Sequence, residues 1–243
     1  MHPSWVRVGF NLWLAAHREQ VKAKANMNCI VTAGPTYEPV DDVRRLTNFS
    51  TGRLGTELAN FLVERGHRVT LLIGAQATYC GERKAQRVKT FTTTADLQKK
   101  LKNLSASPAK SVDAIFHAAA VNDFAFGKVL LRSPSGELTE IKSKKFSTRE
   151  GTLIAELVPT PKLIAELRGW FPKTKIVGWK FVAEGRRVDA IRVAELQIKD
   201  CSTDACVANG PAYGNGFGLV MHETQKHLAA GKLFEALEKF VRK

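Results

Sequence analysis

Residues 29–55 read CIVTAGPTYEPVDDVRRLTNFSTGRLG, and the fold class follows from how this stretch ends one element and begins another. A short apolar run, Cys29-Ile30-Val31-Thr32, stops at Ala33-Gly34-Pro35, and glycine followed by proline turns the chain at the carboxyl edge of a buried strand. The long loop that follows is expected to lie over a sheet. It closes on Asn48-Phe49-Ser50-Thr51-Gly52-Arg53-Leu54-Gly55, where hydroxyls, an amide and two glycines run into a helical pattern of Leu54, Leu58, Phe61 and Leu62. A helix that starts this way leaves backbone N–H groups facing outward. The segment Ser50-Thr51-Gly52 is therefore expected to receive an anion, with phosphate the natural candidate.

Gly66-His67 ends that helix, and Arg68 to Gly74 reads as a second buried strand. Strand, loop, helix and strand in this space make a βαβ unit with a right-handed crossover. The glycines do not follow G-x-G-x-x-G, and no acidic residue closes the second strand where a ribose diol would need one, so a nicotinamide site is disfavoured. Val88 to Phe91 forms a third short strand, and Thr94 caps a helix reaching Leu104 with Leu97 and Leu101 on its buried side. Val112 to His117 then runs into Ala118-Ala119-Ala120. Small side chains at a strand's carboxyl end leave room either for a ligand against the backbone or for a closely packed helix.

From Phe124 to Glu150 the periodicity fades, and Gly127, Pro134, Gly136 and six lysines or arginines gather. A long basic loop is either a solvated insertion or a functional lid. Thr152 to Leu157 alternates like a returning strand, which gives a two-stranded flap over residues 124–157. Pro159-Thr160-Pro161 opens a helix from Lys162 to Gly169, with the turn at Pro161 placed for a phosphate or base contact. Lys175 to Phe181 is a core strand whose Trp179 reads as either core or ligand platform. A helix from Glu184 to Lys199, a strand from Ala205 to Ala208, a last strand at Leu219-Val220-Met221 and a final helix through Leu233, Leu237, Phe240 and Val241 complete the pattern. The fold expected is an α/β three-layer Rossmann-like sandwich with a mainly parallel sheet, a basic flap and a site along the strands' carboxyl edge.

The 243 residues, 44% hydrophobic, fit one large domain over residues 27–243 better than two small ones. Met27 stands just before the first strand and is read as the natural start, with residues 1–26 a dispensable extension. The alternative is a short surface helix packing Trp5, Phe10 and Trp13. No apolar run is long enough to span a bilayer. Cys29, Cys80, Cys201 and Cys206 form no C-x-x-C pair and no zinc spacing, so they read as reduced thiols of a cytoplasmic protein. The net charge of +14 is spread over several segments rather than one stripe interleaved with aromatics. It is expected to gather small phosphorylated substrates rather than nucleic acid. With no P-loop, no G-x-S-x-G, no H-E-x-x-H and no nucleophile paired with a base, the residue set suits a reaction that needs no protein nucleophile.

Several blocks also carry a family resemblance, in order. Thr32-Ala33-Gly34-Pro35-Thr36, Val43-Arg44, Asn48 to Arg53, Ala118 to Asp123, Lys142-Ser143-Lys144-Lys145, Leu157 to Pro161, Ile176 to Trp179 and Asp204 to Asn209 resemble phosphopantothenate-cysteine ligase. That enzyme is the ligase half of the bifunctional coenzyme A biosynthesis flavoprotein. The likeness runs from about Cys29 to Leu237.

The resemblance implies a ligase that joins 4'-phosphopantothenate to L-cysteine through an acyl-nucleotidylate, with magnesium on the nucleoside triphosphate and a homodimeric assembly. It implies Asn48 and Lys142 as catalytic residues, and Arg44, Ser50, Thr51, Gly52, Ala119 and Ala120 as substrate-binding. Gly34, Asp123, Lys142, Pro161, Trp179 and Lys199 would bind the nucleotide. Trp179 matches a phenylalanine that packs on the base. Lys199 is the candidate for a late-helix lysine on the phosphates, and Arg192 is the alternative. Ser143 stands where isoleucine is common. Metal ligands are not assigned. Apart from the motif, Asn48 reads as a helix-capping or loop-bracing amide.

The TAGPT opening and the Ala-Val-x-Asp block favour CTP, while Asn48 to Arg53 also resembles the ATP-using branch. A flavin domain has no room upstream of Cys29, so a free-standing ligase without flavin is expected. Two other functions stand beside this one. A Rossmann-like nucleotide-binding oxidoreductase lacks its glycine fingerprint, and a basic nucleic-acid-binding α/β protein would be revealed by salt-sensitive binding to DNA or RNA.

Overall fold

An unbroken apolar run is what a strand buried on both faces requires, and the Cys29–Thr32 run lies near the middle of an eight-stranded sheet. This is seen in a computed structural model that describes residues 26–106, 111–141, 147 and 151–242. In chain order the elements are β1 (Asn28–Ala33), β2 (Tyr37–Pro39), β3 (Arg45–Thr47), α1 (Arg53–Glu64), β4 (Arg68–Gly74), β5 (Arg87–Phe91) and α2 (Thr94–Ser105). There follow β6 (Ala114–His117), β7 (Phe124–Arg132), β8 (Leu138–Glu140), β9 (Thr152–Pro159), α3 (Leu163–Trp170), β10 (Lys175–Phe181) and α4 (Arg187–Cys201). The chain closes with β11 (Ala205–Asn209), β12 (Phe217–Met221), β13 (Gln225–Leu228) and α5 (Leu233–Val241).

The sheet order is β13-β12-β11-β10-β6-β1-β4-β5. Strands from β11 to β5 pair in parallel, and β12 and β13 are added antiparallel. From β1 the chain winds outward through β4 to β5, then returns across the sheet to β6 and winds the other way. The order therefore reverses between β1 and β6, and the crevice beyond their carboxyl ends is where an open α/β sheet receives its ligand.

Alternate residues of each central strand serve opposite faces. Val31, Leu71, Phe116, Val177 and Val207 pack under Leu58 and Leu62 of α1 and Leu233 and Leu237 of α5. Ile30, Leu72, Ile115 and Ile176 meet Leu97 and Leu101 of α2 and Leu163 and Leu167 of α3. Ala190, Ala194 and Ile198 of α4 cover Cys206, Ala208 and Val220. These are the three layers expected from the sequence, and burying each of the leucines stabilises the fold by roughly 2 kcal/mol.

Four details differ from the sequence reading. The loop after β1 contains a hairpin, β2 with β3, whose strands are too short to show a period. Thr93, not Thr94, caps α2: it is extended, and its hydroxyl accepts from the Asp96 N–H at 3.2 Å, while Thr94 is buried. The flap has three strands, since β8 pairs with β7 before β9 returns. After β12 the chain adds β13 as the sheet's edge.

Cys29, Cys201 and Cys206 are buried, Cys80 is exposed, and all four are free thiols. Among the described residues no helix is long and apolar enough to cross a membrane. The expected extension, including Trp5, Phe10 and Trp13, lies outside the described residues except for Asn26.

Candidate functional site

The carboxyl end of β1 meets the start of α1 through three glycines. Gly34 and Gly52 hold positive φ angles of 76° and 78°, a backbone region in which a side chain is strained. A Cβ on Gly52 would stand 2.9 Å from Ile73 Cδ1, and one on Gly55 would stand 2.6 Å from Ala33 Cβ. The helix N-terminus is thus pressed onto the strand end. Gly52 supplies no side-chain cap and the first turn carries no acid, so neither offsets the positive end of the helix dipole. Thr51 braces the turn, accepting the Arg53 N–H on its hydroxyl at 3.3 Å and the Tyr79 N–H on its carbonyl at 3.0 Å.

Beside this turn lies the loop that leaves β6. The Thr32 hydroxyl accepts from the Ala119 N–H at 3.1 Å and bonds His117 Nδ1 at 3.0 Å. Burial pushes the His117 imidazole down to about 4, so it is neutral at pH 7. Ala120 donates to the Gly34 carbonyl at 3.0 Å, and its own carbonyl accepts from the Thr36 N–H at 3.1 Å. The small residues here bring the two loops together edge to edge.

Asn48 is exposed, and its Nδ2 donates to the Ala120 carbonyl at 3.4 Å, near the limit of a hydrogen bond. It does not cap α1, whose N-cap is Gly52. Arg44 is bound to Asp41, donating from Nε at 3.0 Å and from Nη2 at 2.5 Å. A substrate phosphate would have to share that guanidinium with Asp41. Asp123 is exposed at the rim, and its carbonyl accepts from the Thr160 N–H at 2.9 Å, which brings Pro161 alongside. Gly34, Asn48, Ser50, Thr51, Gly52, Ala119, Ala120, Asp123 and Pro161 therefore collect around one crevice at the switch point.

The remaining candidates are Trp179, Lys199 and Lys142. Trp179 is half-buried and packs on the core beneath α1 and α5, with its indole N–H enclosed and lacking a protein acceptor. Lys199 lies at the opposite, amino edge of the sheet, because α4 runs back against the strands; there it lines a cleft with Arg168, Glu195, Ser202 and His222. Lys142, like Lys144 and Lys145, lies outside the described residues. Among the described residues no group of three or more His, Cys, Asp or Glu side chains converges on a metal position.

Sequence reasoning passed over Asn122, Thr36 and Thr160, whose polar groups join the loops of the crevice. Only the polarity of Asn122 directly after the apolar run Ala118–Val121 could have marked it.

Comparison with known proteins agrees with the fold. A family model described as DNA/pantothenate metabolism flavoprotein C-terminal domain matches residues 24–238. The chain is 28% identical over 232 residues to the coenzyme A biosynthesis bifunctional protein CoaBC of Thermococcus kodakarensis, covering 90% of this chain and 53% of that protein. It thus spans about half the length of the curated relatives it matches. Among solved structures, the DNA/pantothenate metabolism flavoprotein of Streptococcus pneumoniae superimposes with a TM-score of 0.76 at 21% identity, covering 90% of this chain and 99% of that one. A Cab2 mutant in complex with phosphopantothenate-cysteine superimposes at 0.67 and 19% identity, over 99% of this chain and 93% of that one. At these identities the structural matches speak to the fold.

Proposed function

The chain belongs to the family described as DNA/pantothenate metabolism flavoprotein C-terminal domain, and from that premise we propose that it joins 4'-phosphopantothenate to L-cysteine at the expense of a nucleoside triphosphate. The observation that carries this reading is the meeting of Asn48, the uncapped N-terminus of α1 and the Ala118–Asp123 loop at the switch point of the sheet.

The substrate carboxylate attacks the α-phosphate, pyrophosphate leaves, and an acyl-nucleotidylate forms. The cysteine amine then attacks the acyl carbon and the nucleoside monophosphate leaves. Both steps depend on alignment and on holding negative charge more than on proton relays. The Asn48 amide holds the acyl region, and the N–H groups from Ser50 to Gly52, with Arg44, take substrate phosphate. Lys142 stabilises charge during activation and shields the mixed anhydride from water. Gly34, Ala119, Ala120, Asp123 and Pro161 line the nucleotide's side of the crevice. Magnesium bound to phosphate oxygens needs only one or two carboxylates from protein, and Asp123 is the rim carboxylate that would serve; the ion would neutralise the triphosphate.

CTP is favoured over ATP, no flavin takes part, and the enzyme works in the cytoplasm. It works as a homodimer, a reading supported by exposed apolar side chains on the hairpin and flap, namely Val43, Leu46, Phe49, Phe124, Leu157 and Val158.

The deciding experiment measures pyrophosphate release from CTP and from ATP. Release should require 4'-phosphopantothenate, should be faster with CTP, and should yield 4'-phosphopantothenoylcysteine only when cysteine is added. No release with any triphosphate would remove this reading.

A further inference from the structure

Asn122 is polar yet only 4% exposed. Its Nδ2 donates to the Leu46 carbonyl at 3.0 Å, and its backbone N–H donates to Thr36 Oγ1 at 2.8 Å. Its carbonyl accepts from the Thr160 hydroxyl. One residue thus joins the loop after β1, the strand β3 and the loop after β9. No apolar residue could do the same, because the bond to Leu46 requires a side-chain N–H or O–H of this reach.

The bond to Leu46 matters because the chain reaches Asn48 only two positions later, at the end of a hairpin strand whose residues Arg45–Thr47 are all exposed. Among the described residues β3 pairs only with the equally short β2. Its other ties to the sheet edge are the Thr47 hydroxyl donating to the Thr36 carbonyl at 2.9 Å and Asn48 itself at 3.4 Å. Two-stranded ribbons of this length do not hold their own position in water. β2 is itself anchored, by the Tyr37 N–H on the Thr92 carbonyl at 3.0 Å and by Glu38 Oε1 on the Thr94 N–H at 2.9 Å; the buried Asn122 amide is the side-chain tether that reaches β3 directly from the loop after β6.

We infer that Asn122 is a positioning residue, which sets the place of the Asn48 amide by holding β3 through the Leu46 carbonyl. The inference rests on the reading of Asn48 given above. Asn122 is buried behind the loop and does not itself meet the substrate. Its removal takes one donor from an exposed strand that lies outside the buried core, so the effect falls on the position of β3 more than on stability.

The test uses Asn122→Ala, with Asn122→Ser as the second variant should the first fail to fold, since a serine hydroxyl is too short to reach Leu46. Amide hydrogen exchange in residues 45–50 should quicken by about tenfold while β1 and β6 stay protected. The kcat for pyrophosphate release should fall by about tenfold to a hundredfold, the cost of displacing a reacting group by about 1 Å, with little change in KM for the triphosphate. In an Asn48→Ala background, Asn122→Ala should alter kcat by no more than about twofold, because the two act as one unit. Unchanged exchange in residues 45–50, or an equal loss of kcat in both backgrounds, overturns the inference. Should the unaltered protein release no pyrophosphate at all, the proposed function falls, and the exchange measurement alone decides whether Asn122 tethers the hairpin.

Discussion

Gly55 approaches Ala33 so closely that a methyl group on the glycine would stand 2.6 Å from the Ala33 Cβ and 3.1 Å from the Thr32 carbonyl oxygen. The contact fixes how far the first turn of α1 sits from the end of β1, and hence where its N–H groups point. Neither neighbour is the flexible end of a long side chain. The strain of a larger residue would have to be taken up by backbone.

Gly55→Ala is therefore expected to destabilise the protein by about 1–3 kcal/mol, the usual cost of overpacking. The gain in helix propensity, about 1 kcal/mol, opposes this and is smaller. Urea unfolding measures the outcome. A variant as stable as the parent would mean that α1 can lift from β1 without cost.

The proposed homodimer has its own test in light scattering. At micromolar concentration the mass should be twice that of the chain, and Leu157→Ser, on the exposed face of β9, should shift it toward the monomer. A monomer mass for the unaltered protein would set the dimer aside.

How much of this was legible beforehand depended on what each residue's role is made of. β4 and β10 were read to the residue, because a strand buried on both faces leaves an apolar run bounded by turn residues, and nothing distant is needed to see it. β2, β3 and β13 were not, since three or four residues of mixed polarity carry no period and pair only through tertiary contact. Asn122 looked like a spacer because its three partners, Thr36, Leu46 and Thr160, are far away in sequence. Lys199 is the opposite case. A helix that follows a parallel strand must run back along the sheet, so its last turn ends at the amino edge; the topology already contained that fact, and motif matching passed over it.

His117 makes stability depend on pH in a direction that can be worked out. Burial lowers its folded-state value to about 4, below the unfolded value of about 6.5. Between these limits the unfolded chain binds the proton and the folded one does not, so stability rises with pH and is lost as pH falls through this window. From pH 7 to pH 4.5 the loss from this one group is roughly 2 kcal/mol. His117→Gln should lose less over the same interval by about that amount, measured by urea unfolding at both pH values. Equal pH dependence in the two proteins would show that the imidazole is not held neutral.

The most direct test of the site is Asn48→Asp. The substitution keeps the size and shape of the side chain while replacing the donor with a carboxylate. If the Asn48 amide holds the acyl-nucleotidylate, the new charge faces the substrate carboxylate and phosphate, where like charges at about 4 Å repel by roughly 1–4 kcal/mol. The hydrogen bond to the Ala120 carbonyl is lost as well. Because about 1.4 kcal/mol is one decade in rate, activation should slow by at least about tenfold. Asn48 is exposed and stands outside the helix cap, so the melting temperature should change little. Pyrophosphate release and product formation at the unaltered rate would reduce Asn48 to a brace between two loops and move the active site elsewhere.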